Sequence, residues 1–305
     1  MPVNIPDKLP AIELLKHENI FVMDATRASS QDIRPLKLVI LNLMPVKITT
    51  ETDLIRLLSN TPLQLEIDFM QISGHTSKNT PIEHMKAFYK HFDEIKNEKY
   101  DGMIITGAPV EQLEFEEVTY WNEITGIFDW ARTHVTSTLY ICWAAQAGLY
   151  HFFDIPKYPL EEKMFGIFEH SVNDPLNPIF RGFDDSFFVP HSRHTEIRKD
   201  DIMRCAGLSL LSESKEAGVY MVMARNGREF FITGHAEYAP DTLDQEYKRD
   251  LAKGLLIDMP CHYYPGNDAS QPPLVKWRGH ANLLFANWLN YFVYQETPFD
   301  AQNIH

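Results

Sequence analysis

An α/β fold built on a doubly wound, mostly parallel sheet is predicted from three observations. Apolar runs of strand length alternate with amphipathic stretches through the first half of the chain, the pattern of parallel strands linked by crossover helices. Leu36 to Leu43 is apolar throughout except for Lys37 and Asn42, as expected of a strand covered on both faces. Two apolar runs end in chemically reactive side chains, Leu139-Tyr140-Ile141 at Cys142 and Phe230-Phe231-Ile232-Thr233-Gly234 at His235. Parallel sheets gather their carboxyl ends at one crevice, where such groups can meet.

The elements follow in order. Residues 1–35 read as an N-terminal arm, punctuated by Pro2, Pro6, Pro10 and Pro35, with one or two helical turns over Ile12 to Lys16. Its Ile20, Phe21, Val22 and Met23 need burial, and a second subunit is one place to find it. Residues 36–300 read as a single α/β domain. After the first strand, Thr50-x-x-Asp53 precedes Leu54, Ile55, Leu57 and Leu58, a capping-box-like helix start. Leu63 to Ile72 alternates as a strand, and Thr80-Pro81 opens a helix carrying Met85, Phe88, Phe92 and Ile95 at helical spacing. Met103 to Thr106 is a buried strand ending at Gly107; Val118, Trp121, Thr125 and Phe128 trace a helix; Thr138 to Cys142 is the next strand. From about 150 to 212 the pattern weakens at Pro156, Pro159, Pro175, Pro178 and Pro190, which reads as a lid insertion over the crevice. Val219 to Ala224, Asn226-Gly227 and Glu229 to Thr233 form a hairpin. Leu243, Tyr247 and Leu251 mark a helix, and Leu284, Trp288, Tyr291 and Phe292 a long C-terminal one whose aromatic stripe reads as core or dimer contact.

Composition narrows the function. The 305 residues carry 44% hydrophobic side chains, enough for a real core. The net charge of −14 argues against a nucleic-acid surface, because phosphate binding needs clustered Lys and Arg. No stretch approaches the ~20 apolar residues that span a bilayer, and Met1 to Leu15 has no signal-peptide core. Cys142, Cys205 and Cys261 are too few and too scattered for a disulfide framework or zinc site, which points to a reduced cytoplasm. Cys205 and Cys261 read as structural, and no metal site is expected.

The chemistry centres on Cys142. A strand running into the small-residue turn Trp143-Ala144-Ala145-Gln146-Ala147-Gly148 places the thiol beside the open N–H groups of a helix start. That end carries roughly +0.5 of an elementary charge, which favours thiolate, and its amides can receive a developing oxyanion. This is a nucleophile elbow with sulfur in place of oxygen; the alternative is a buried structural cysteine. A nucleophilic thiol needs a base, and the base a group that fixes its orientation. His235 and Glu237 supply that pair. Trp143 N–H and the Gly107–Val110 turn are candidate oxyanion donors, and Lys47, just past the first strand, is expected to face the same crevice.

Several strings resemble the homoserine O-acyltransferase family of methionine biosynthesis, the branch on the class I glutamine-amidotransferase fold, itself flavodoxin-like. They are Met1-Pro2-Val3-Asn4-Ile5-Pro6, Asn42-Leu43-Met44-Pro45, Thr106-Gly107-Ala108-Pro109-Val110-Glu111, Pro190-His191-Ser192-Arg193-His194-Thr195-Glu196 and Asn287-Trp288-Leu289-Asn290-Tyr291. The resemblance implies that Cys142 carries an acyl-thioester, that His235 accepts protons and that Glu237 partners it. It implies substrate binding by Lys163, Ser192 and Arg249, and acyl-donor selection by Glu111. From residue type alone, Lys163 could be a solvated lysine, and Arg249 an intrahelical partner of Gln245 or Glu246. In the family the position of Glu111 is glycine in succinyl users and glutamate in acetyl users, so acetyl-coenzyme A is the expected co-substrate and L-homoserine the acceptor. Succinyl-coenzyme A is the alternative donor. No resident cofactor, no nucleic acid and no membrane are expected, and a homodimer is. Two positions depart from the family: Ala144 stands where glycine is usual and Ala236 where proline is frequent. A positive φ at residue 144 would strain the alanine.

Two rival readings use the same cysteine. Glutamine hydrolysis for ammonia transfer employs a Cys-His-Glu set but needs a partner synthase. A redox sensor would use Cys142 as an oxidisable thiol and leave His235, Glu237 and Arg249 without a role.

Overall fold

The computed structural model describes residues 3–5, 9–10, 12–14, 22–24, 34–73, 79–298 and 304. Ile20, Phe21, Lys16 and most of the N-terminal arm lie outside the described residues. Two arm segments, β1 (Val3–Ile5) and β2 (Val22–Asp24), pair in parallel with each other. Through β1 they extend the sheet beyond β4 (Leu65–Gln71).

The parallel half of the sheet is completed by β3 (Leu36–Leu41), β6 (Tyr100–Ile105), β7 (Val135–Ile141) and β12 (Glu229–Ile232). Its strands run in the order β2-β1-β4-β3-β6-β7-β12. Alternate residues separate onto two faces, as strand pleating requires. Leu38, Ile40, Ile104, Leu139 and Ile141 enter one buried cluster; Val39, Leu41, Met103, Ile105 and Tyr140 enter the other. The first face is covered by α1 (Lys47–Leu58), through Leu54, Ile55 and Leu58, and by the C-terminal helix. The second is covered by α4 (Trp121–His134) and by the helix that follows β7. Both faces are dry, so the doubly wound reading holds. Each fully buried aliphatic or aromatic side chain contributes about 1.5–3 kcal/mol by leaving water.

Three local expectations are corrected. Thr50-x-x-Asp53 does not cap a helix: α1 begins at Lys47, and the Lys47 N–H donates to Thr80 Oγ1 at 3.4 Å. Thr50 Oγ1 instead donates to the Val46 carbonyl, and Asp53 pairs with Arg56 at 2.8 Å. The helix expected from Thr80 to Ile95 is broken into α2 (Ile82–Phe88), a three-residue strand β5 (Tyr89–His91) on β4, and α3 (Phe92–Ile95). Tyr89 causes the break, because its hydroxyl reaches inward to donate to Glu51 at 2.6 Å. Residues 150–212 are more regular than their prolines suggest. They form β8 (Tyr158–Val172), β9 (Ser186–Glu196), the short helix α6 (Lys199–Arg204) and the start of β10 (Leu208–Ser214).

With β11 (Gly218–Ala224), these strands continue the sheet as an antiparallel extension, β12-β11-β10-β8-β9. The β11–β12 hairpin closes at Asn226 and Gly227, both at positive φ. Gly166 in β8, at φ +145°, lets the backbone of Cys261 pass so closely that a Cβ would lie 2.4 Å from its carbonyl oxygen. The chain ends in α7 (Thr242–Ala252) and α8 (Arg278–Asn287), the latter continued by a π-helical stretch over Trp288–Tyr294.

Candidate active site

Neighbouring strands bring the reactive residues together. β7 and β12 pair in parallel with Ile141 level with Ile232, and the Cys142 N–H donates to the Ile232 carbonyl at 2.6 Å. Cys142 therefore caps the helix α5 (Trp143–Phe153), and the turn forces it to φ +54°, ψ −115°. Such a backbone costs of order 1–3 kcal/mol in a non-glycine residue and persists only where the surroundings impose it. The strain falls on the nucleophile itself. Ala144 lies within α5 with no positive φ, so alanine fits there without penalty.

His235 and Glu237 follow β12 immediately. The His235 N–H donates to the Pro190 carbonyl at 2.8 Å, its Nδ1 lies 2.7 Å from Glu237 Oε1, and its ring stacks on Tyr238 at 4.2 Å. A carboxylate at Nδ1 fixes the tautomer, so Nε2 is the nitrogen turned to the thiol. Burial alone would strip the imidazole of its proton. The Cys142 sulfur and the Glu237 carboxylate, both hydrogen-bonded to it, outweigh that penalty and hold its proton affinity well above the usual histidine range. A Cβ on Gly107, at the end of β6, would lie 3.2 Å from Cys142 Cβ and 3.7 Å from its sulfur; glycine here keeps the approach to the thiol open.

The triad opens into a cleft of about 900 Å³ lined by loops after β3 and β6, by β8 and β9, and by α7. Glu111, Lys163, Ser192 and Arg249 all line it, as the sequence reading expects. Glu111 is half-buried; burial pushes its carboxyl up, opposed by His194, His235 and Lys163. A residue the sequence reading treated only as a helix partner organises the far wall. Glu246 takes Lys163 Nζ at 2.6 Å and the Ser192 hydroxyl at 3.0 Å, with Arg249 Nη2 at 3.7 Å. No periodicity signals this, because the partners come from β8, β9 and α7. The Arg249 fork is not empty: Nε and Nη2 donate to the two oxygens of Asp250 at 2.7 and 2.8 Å.

Lys47 departs from expectation. Its ammonium turns inward to the Asn42 carbonyl at 2.6 Å and is absent from the cleft wall. Burial lowers its pKa to about 8, against the pull of Glu51. Cys205 is half-buried and Cys261 exposed, and both are free; Cys261 holds β8 through backbone bonds to Phe165 and Ile167 rather than through its thiol. Among the described residues no group of three or more His, Cys, Asp or Glu could hold a metal ion, and no helix is long and apolar enough to cross a membrane.

Comparison with known proteins identifies the family and the fold. The model of the homoserine O-succinyltransferase family matches residues 2–299. The chain is 74% identical over 304 residues to a homoserine O-acetyltransferase of Phocaeicola vulgatus, covering 100% of both chains. It is 73% identical to that of Bacteroides thetaiotaomicron, again over 100% of both, and 61% identical to that of Acetivibrio thermocellus, with the same coverage. Among solved structures it resembles a glutamine amidotransferase from Thermotoga maritima, with a TM-score of 0.58 at 13% identity over 86% of this chain and 100% of the other. A glutamine amidotransferase from Methylobacillus flagellatus gives 0.53 at 9% identity over 85% and 95%. At these identities the structural likeness concerns the fold, which is of the class I glutamine-amidotransferase type.

Proposed function

Because the chain belongs to the homoserine O-succinyltransferase family, we propose that it transfers the acetyl group of acetyl-coenzyme A to the hydroxyl of L-homoserine through a thioester on Cys142. The observation that carries this reading is the Cys142–His235–Glu237 set at the floor of a cleft that also holds Glu111. The names of the full-length relatives, homoserine O-acetyltransferase, support the acetyl donor.

The reaction has two steps. The Cys142 thiolate attacks the thioester carbonyl, and the oxyanion forms between the Trp143 N–H at the start of α5 and the backbone at Gly107. Collapse expels coenzyme A, whose sulfur takes the proton held by His235. The homoserine hydroxyl then attacks the acetyl-enzyme while His235 Nε2 removes its proton. The ester leaves, and Cys142 returns as thiolate beside protonated His235. No electrons are transferred, so the two substrates and these side chains suffice without a resident cofactor.

Homoserine binding follows from the far wall. Glu246 is suited to its ammonium, Ser192 and Lys163 to its polar groups, and the donors of Arg249 not used by Asp250 to its carboxylate. Glu111 selects the donor. A succinyl carboxylate about 4 Å from it would meet roughly 4 kcal/mol of repulsion at an effective dielectric near 20, a roughly thousandfold discrimination. The same reading includes a cytoplasmic location, which keeps the nucleophile reduced, and a homodimer, for which exposed Leu251, Leu255 and Leu256 offer an apolar surface.

Steady-state kinetics with both donors test the assignment. Acetyl-coenzyme A should be preferred in kcat/KM, and Glu111→Gly should gain succinyl turnover. Better use of succinyl-coenzyme A by the wild-type protein would overturn the donor assignment.

A further inference from the structure

Behind the nucleophile lies a cation that the two-step scheme does not use. Arg193 is 2% exposed, and all its acceptors are neutral. Nε donates to His191 Nδ1 at 3.3 Å, Nη1 to the Thr195 carbonyl at 2.6 Å, and Nη2 to the Ala217 carbonyl. Among the described residues no carboxylate lies within ion-pair distance of it. A buried charge without a counter-ion costs several kcal/mol, so its retention calls for a compensating anion nearby.

The bonding around it runs toward the catalytic residues on two sides. Thr195 Oγ1 donates to Gln146 Oε1 at 2.7 Å, and the Gln146 N–H donates to the Cys142 carbonyl at 3.2 Å. Gln146 belongs to the first turn of α5, so Arg193 is tied to the elbow. On the other side His191 packs on Gly234, where a Cβ would lie 2.9 Å from its Nε2, one residue before His235. Because Arg193 Nε can only donate, His191 Nδ1 must accept. His191 Nε2 then carries the proton and donates to His170 Nε2 at 3.1 Å, and His170 Nδ1 donates to the Phe168 carbonyl at 2.9 Å. Both rings are therefore neutral. Burial, reinforced by Arg193, lowers their proton affinity, that of His170 to about 3. Burial lowers the proton affinity of the guanidinium, and with the histidines neutral the groups that oppose this are Cys142 first, then Glu196 and Glu111.

We propose that Arg193 is a positioning residue for acyl transfer: its buried guanidinium stabilises Cys142 as thiolate through space and clamps the elbow and the His235 turn to β9. The proposal rests on Cys142 being the nucleophile, yet its test does not require turnover. The titratable and charged side chains that line the cleft with Cys142 are Asp53 on α1, Glu111 after β6, Lys163 on β8, His194 on β9, His235 and Tyr238 after β12, and Glu246, Arg249 and Asp250 on α7; all stay constant in the comparison.

In a full-length Cys205→Ser, Cys261→Ser background, the rate of iodoacetamide alkylation of Cys142 is measured against pH for wild type, Arg193→Lys and Arg193→Met, with thermal melts. Loss of the charge in Arg193→Met should raise the alkylation midpoint by about one pH unit or more, while Arg193→Lys should stay near wild type. An Arg193→Met midpoint equal to wild type, whatever its melting temperature, overturns the proposal. If Arg193→Met does not fold, two readouts remain. Arg193→Lys must keep the wild-type midpoint, and ¹⁵N spectra of histidine-labelled wild type must show neutral Nε2–H His191 and Nδ1–H His170 between about pH 6 and 9. A charged His191, or its Nδ1–H tautomer, contradicts the donor chain and with it the clamp.

Discussion

At the scale of single residues, the site depends on two neighbours in space that each correct a defect of the other. Cys142 is held at φ +54°, a conformation that would be discarded if the turn did not present the thiol to His235. His235 is buried deeply enough to lose its proton, and keeps it only because the thiol and Glu237 are bonded to it. Glu237→Gln removes the charge while preserving size. It should lower kcat by roughly 10²- to 10⁴-fold and leave both KM values near wild type, because Glu237 orients the base and touches neither substrate. Equal losses in kcat and kcat/KM check this, and a large rise in KM with unchanged kcat would contradict it. These residues were legible in the sequence because an apolar run ending in a reactive side chain is itself a positional signal. Glu246 and Asp250 were not. Whether Arg249 turns to the next residue or into the cleft depends on χ angles that no spacing encodes, and Glu246 gains its role only when β8 and β9 fold over α7.

At the scale of elements, strand alternation was read correctly where burial is two-sided and wrongly where one polar contact overrides periodicity. Leu36 to Leu43 declares a central strand because both pleat faces need apolar residues. The Thr80 to Ile95 stretch has helical spacing, yet the Tyr89 hydroxyl is drawn to Glu51 and Asn42, and three residues become strand. The 150–212 segment hides its regularity because edge and hairpin strands tolerate proline and alternate less cleanly. The packing of α5 on the sheet sets the position of the elbow and can be tested at Gly148. A Cβ there would lie 2.8 Å from Cε1 of Phe231, a buried ring stacked on Tyr140 at 4.8 Å. Neither ring can retreat, so Gly148→Ala should destabilise the protein by about 1–3 kcal/mol and lower kcat as the elbow shifts. Wild-type stability measured by chemical denaturation would show that the helix has room which the geometry denies it.

At the scale of the whole molecule, a chain of net charge −14 buries several acids and pays for one of them in a pH-dependent way. Asp53 lines the cleft, and burial raises its pKa from 3.8 to about 7 despite the Arg56 contact. A group whose folded pKa is raised contributes fully below its unfolded value and loses that contribution as pH rises through the folded one. Asp53 therefore destabilises the fold progressively from about pH 4 to 7, by an upper bound of roughly 4 kcal/mol. The melting temperature of Asp53→Asn relative to wild type should climb between about pH 4 and 7 and level off above that; a difference that stays constant would contradict the buried-acid account. The sheet, the cleft and the charge distribution together converge on one sulfur atom. Intact mass, followed by peptide mapping, after mixing the protein with acetyl-coenzyme A and no homoserine reads that atom directly. One acetyl group should appear on Cys142 and vanish when homoserine is added; an unmodified Cys142, or acetyl on Cys205 or Cys261 instead, would contradict the thioester mechanism.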